Sequence, residues 1–237
     1  MKRARASVGR RPHAADRRRH ILRSPLVGWA SGLAFVLVVA VLTFATRDHE
    51  LPLAPFVASA AKIAAGQLWV LPTSALVVDR PVLIGLAAFA VLAVATLRFC
   101  GTRTFWLAAI GGHIGSTLTV YAIIGTARLA DPGVFTNAFV SPDFGVSAIQ
   151  GAWVGAIATT AWLWAGGNGR RQAAVAAGVC VVAAVAWWLH PDPSILTTEH
   201  LFAFVIGCGI VAVPRLTAAW TPGIRRLVSP GENTQGA

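Results

Sequence analysis

Apolar residues in this chain do not alternate with polar ones; they gather in long blocks divided by short polar breaks. A helix needs about 20 apolar residues to cross a hydrocarbon core. A block that is apolar on every face, not along one stripe, suits lipid better than a soluble surface. Six blocks qualify: Leu26–Thr46, Pro81–Leu97, Thr104–Ile124, Phe144–Trp164, Ala173–Leu189 and Ile195–Val213. The pattern predicts an all-α, polytopic membrane protein with a basic tail (1–25), a six-helix membrane domain (26–213) and a C-terminal tail (214–237). At 21 residues the first block exceeds the apolar core of a secretion signal, so it is expected to stay as a helix.

Basic residues orient these helices. Nine of the 20 Lys and Arg precede the first block. With the N-terminus inside and the helices alternating, Arg98, Arg103, Arg170, Arg171, Arg215, Arg225 and Arg226 join them. Only Arg47, Lys62, Arg80 and Arg128 are left outside. This asymmetry predicts a multi-pass cell-membrane protein with both termini cytoplasmic. Most acids, Asp143, Asp192 and Glu199 among them, then fall outside. The outer loop 47–80 is long and only modestly polar. It is expected to carry structure of its own, with Trp69 at headgroup depth. The end after Val228 reads as disordered.

Composition agrees with the pattern. The chain is 56% hydrophobic and 12% charged, against about a quarter charged in soluble domains. Disorder is excluded by the same apolar content. The net charge of +11 is concentrated in the N-terminal tail, without aromatic or motif context. It reads as a bilayer anchor and not as a nucleic-acid footprint. Cys100, Cys180 and Cys208 form no CxxC pair and imply no disulfide framework and no metal.

Polar groups inside apolar blocks are the candidates for chemistry. His113 lies near the middle of the third block. Ser147 opens the fourth and His200 opens the sixth, both at the outer end. A serine beside a histidine is a nucleophile with its base. Gly145, two residues earlier, lets the chain turn tightly and brings backbone N–H groups near a reacting carbonyl. Gly151 and Gly155 on one helix, and Ala203 and Gly207 on the other, are spaced for close helix packing. If those faces meet, Ser147 and His200 come together above them.

These residues resemble the rhomboid family of intramembrane serine proteases. The likeness lies in G-x-S (Gly145, Ser147) at the start of the fourth helix and H-x-x-small-x-x-x-G (His200, Ala203, Gly207) at the start of the sixth. A long first outer loop and both termini inside complete it. The resemblance implies a Ser147–His200 dyad without a third acidic member, no cofactor, and a transmembrane protein as substrate. It does not extend to the second helix, which lacks the family's oxyanion-supporting His and Asn. Ala148 and Gly151 stand where the family commonly has glycine and an aromatic residue. His113, on the third helix, is a candidate oxyanion or site-shaping group. Two other functions fit the sequence: an inactive rhomboid-like scaffold that binds client helices, and a small transporter using His113.

Overall fold

The computed structural model describes residues 25–79, 81–175, 177–179 and 198–228. The described residues are all-α. Helix α1 is Pro25–Arg47, and a long connection follows, carrying a 3-10 turn (Ala54–Phe56) and the short helices α2 (Ala60–Ala64) and α3 (Val70–Ser74). Then come α4 (Val82–Ala130), α5 (Thr136–Val140), α6 (Ser147–Trp164) and α7 (Thr198–Val228). The expected fifth helix (173–189), Asp192, Cys180 and both tail ends lie largely or wholly outside the described residues.

The second and third apolar blocks form α4, whose helical run is broken at Gly101 (φ 82°, ψ 166°). A side chain would resist that left-handed backbone; glycine accepts it. The chain reverses there. Phe89 and Phe105 would lie about 24 Å apart along a straight helix. Instead both rings stack on Trp153, with centroids 5.0 and 4.7 Å away. Phe35 of α1 meets the same two rings edge-on. The first block is thus built into the aromatic core. The expected turn between Arg98 and Arg103 shrinks to one glycine.

Helix α6 packs against both α4 and α7, which also meet each other. Ala152 is fully buried, pinned between Gly112 and Gly207; a Cβ on either glycine would overlap it. A Cβ on Gly155 would overlap the Phe204 carbonyl, and one on Gly151 would come within 3.0 Å of the His200 carbonyl oxygen. The small-residue faces of α6 and α7 therefore meet backbone against backbone.

Three boundaries differ from expectation. Helix α6 begins at Ser147, not at Phe144, because Asp143 pairs with Ala58 in an isolated antiparallel bridge and Gly145 takes φ 122°. The second arm of α4 runs on to Ala130 and stops where Asp131, extended ahead of Pro132, leaves the helical region. Helix α7 continues past Val213 to Val228, so the stretch expected as the start of a tail is helical.

Among the described residues, two helices are long and apolar enough to cross a membrane, Leu26–Arg47 and Val82–Ala130. Large apolar side chains along them face outward, among them Leu37, Val41, Leu83, Ile84, Val91 and Ile110.

Candidate active site

Ser147 is the first residue of α6 and His200 lies in the first turn of α7. The close α6–α7 contact beneath them brings the two side chains together. His200 Nε2 stands 2.8 Å from Ser147 Oγ, within hydrogen-bond reach, and both residues are half-buried. The first-turn amides of Ser147, Ala148 and Ile149 have no helical carbonyl to bond, and the positive helix end lies there. A carbonyl oxygen placed above Ser147 would meet those donors.

Gly145 supplies the turn into α6, but its own N–H donates to the Ser74 carbonyl at 2.8 Å. Its contribution is shape and not an oxyanion bond. Gly151, Gly155, Ala203 and Gly207 form the packing seam described above.

His113 is directed elsewhere. Buried on the second arm of α4, its Nε2 lies 2.9 Å from the Leu71 carbonyl and 3.1 Å from Ser74 Oγ. A carbonyl only accepts, so this nitrogen carries hydrogen and donates. Among the described residues its Nδ1 has no hydrogen-bond partner. The ring thus holds α3 of the long connection against α4. A largely apolar cavity of about 270 Å³ adjoins it, lined by Phe35, Trp106, Ile149 and others, and neither Ser147 nor His200 lines it.

A buried polar network missing from the sequence reading adjoins the pair. Glu199, immediately before His200, is 4% exposed. It is contacted by the hydroxyls of Thr117 and Ser116, and the Asp143 carboxyl lies nearby. Tyr121 donates to Asp143 Oδ2 at 2.8 Å. The Glu–His dipeptide at a helix start was the sequence signal. By charge distribution alone, Asp143 reads only as an outer acid. Among the described residues no His, Cys, Asp or Glu cluster suited to a metal is found, and the Cys100 and Cys208 thiols lie 3.3 Å from Thr160 Oγ1 and 3.5 Å from the Gly155 carbonyl.

Comparison of the chain with family models, curated proteins and solved structures finds no match.

Proposed function

We propose that this is a rhomboid-like multi-pass membrane protein, and that Ser147 and His200 form the dyad of an intramembrane serine endopeptidase. The observation that carries the reading is the 2.8 Å contact between Ser147 Oγ and His200 Nε2. It joins two residues 53 positions apart in sequence, each in the first turn of its helix. The outward-facing apolar side chains on α1 and α4 support a lipid setting, because a water-soluble surface rarely carries such extended apolar area. In this reading the membrane domain has six helices with both termini cytoplasmic, and the dyad lies near the outer surface.

The chemistry follows from the pair. A transmembrane substrate presents an unwound segment near its outer end. Ser147 Oγ attacks the peptide carbonyl while His200 Nε2 takes the hydroxyl proton. The oxyanion is held by first-turn amides of α6. His200 then gives its proton to the leaving amine, forming an acyl-enzyme on Ser147. Water, deprotonated by His200, releases the acid and restores the serine.

One observation favours a second reading, a scaffold that holds client helices without cutting. The ring donor of His113 is spent on Leu71 and Ser74, so it adds nothing to an oxyanion site. Loss of one oxyanion donor costs about 10²–10³ in rate. Labelling of purified protein with a fluorophosphonate separates the readings. The enzyme reading expects covalent modification that Ser147→Ala removes. Equal signal from wild type and Ser147→Ala, beside a rhomboid control that labels, leaves the scaffold.

A further inference from the structure

Asp143 and Glu199 each lie just ahead of a dyad residue, four positions before Ser147 and one before His200. Both are anchored on the second arm of α4 one turn apart, Glu199 by Thr117 and Asp143 by Tyr121, which brings the two carboxyls to one place. Asp143 is also fixed through its backbone, its N–H and C=O bonding Ala58 at 2.9 and 2.8 Å. The Tyr121 hydroxyl holds its side chain. Glu199 is anchored on the second arm of α4 by Thr117 and Ser116. Four parts of the chain therefore converge at one point: the long connection, α4, the lead into α6 and the first turn of α7.

Such a junction is expensive to keep. A buried carboxyl is tolerated only when its oxygens are bonded, and apolar packing would stabilise the site as well. A first helical turn also lacks the backbone bonds that fix later turns, so side chains must set its register. We propose that the Asp143–Glu199 pair is a positioning latch, fixing the lead into α6 against the first turn of α7 and so setting the Ser147–His200 separation. The role is positional: the carboxyls are held by the hydroxyls of Thr117, Ser116 and Tyr121. The proposal rests on the dyad reading for its catalytic meaning, but the geometry it predicts is measurable without catalysis.

The test uses the full chain with Cys100, Cys180 and Cys208 changed to Ala and with Ser147→Cys and His200→Cys added. A short bis-methanethiosulfonate reports how often the two positions approach. Glu199→Ala is expected to slow cross-linking roughly tenfold, while Glu199→Gln, which keeps a donor and an acceptor, retains the parent rate. In the otherwise native chain, fluorophosphonate labelling should fall about 100-fold in Glu199→Ala, the scale of an ångström-sized misplacement, and recover in Glu199→Gln. If Glu199→Ala does not fold, Tyr121→Phe removes one hydroxyl from the latch and is read for a smaller drop in both assays. Cross-linking at the parent rate in every folded variant overturns the latch. A latch-dependent cross-link in a chain that never labels supports the latch and sinks only the dyad chemistry.

Discussion

Ser147 and His200 meet at 2.8 Å, and Ser74 and His113 at 3.1 Å, yet the imidazoles of the two pairs face different partners. In the second pair the same ring nitrogen also reaches the Leu71 carbonyl at 2.9 Å, so it is a donor with no lone pair for the serine proton. Ser74 turns its own hydroxyl to that carbonyl at 3.0 Å. Two donors close on one acceptor in a buried site. In the first pair His200 Nε2 faces Ser147 Oγ, and both residues are half-buried at a helix start whose first-turn amides have no helical carbonyl to bond. Proximity of serine to histidine is thus insufficient for a nucleophile. What counts is which atom holds the hydrogen, and whether a substrate can arrive.

The largest expected effect separates the pairs outright. After fluorophosphonate treatment, peptide mapping should place the adduct on Ser147 and leave the Ser74 peptide unmodified. Ser147→Ala and His200→Ala should each lower labelling by roughly 10⁴-fold or more, because a dyad fails as a unit. An adduct on Ser74 would break the comparison, since it would require a base that the geometry denies.

The same contrast explains how far the sequence could be read. The Ser147–His200 meeting was legible because both residues open apolar blocks, and small residues at four-residue spacing told which faces could touch. The all-α class was legible from block length alone. The Ser74–His113 pair was not. Ser74 lies in a connection whose fold depends on distant bonds: Val78 N–H to Thr43 Oγ1 at 3.0 Å, and Ala58 to Asp143. No periodicity encodes such bonds. The late start of α6 was hidden for the same reason, because the bridge to Ala58 outcompetes the helical preference of the residues before Ser147. Glu199 stood next to His200 in plain view. Its partners Thr117 and Asp143 become visible only once α4 is folded back at Gly101.

A smaller effect is expected from His113→Ala. Removing a buried ring of this size should cost about 2–4 kcal/mol, read from thermal unfolding in detergent. The folded fraction should still label at Ser147 within a few-fold of wild type. If labelling disappears while the fold persists, His113 belongs to the oxyanion machinery and is more than a brace.

Gly207→Val tests the support beneath the first pair. Its Cβ would overlap the Ala152 carbonyl, so α6 and α7 must separate. The expected loss is about 1–3 kcal/mol. Labelling should fall with it, because the seam sets the spacing of Ser147 and His200. Gly209→Ala is the control: among the described residues a Cβ there meets nothing within 4 Å. Equal labelling in the two variants would detach the dyad from the seam.

The smallest effect belongs to Ser74→Ala. The hydroxyl makes two contacts, to the Leu71 carbonyl and to His113 Nε2, but its removal strands neither partner. His113 Nε2–H keeps the Leu71 carbonyl, and that carbonyl keeps the imidazole donor. With no buried donor orphaned, the loss should be that of one net hydrogen bond, about 0.5–1.5 kcal/mol. Labelling at Ser147 should be unchanged. A loss above about 3 kcal/mol in the unfolding midpoint analysis would mean that Ser74, not Leu71, holds the ring. The imidazole would then have to accept from the serine, and the chemical distinction between the two pairs would collapse.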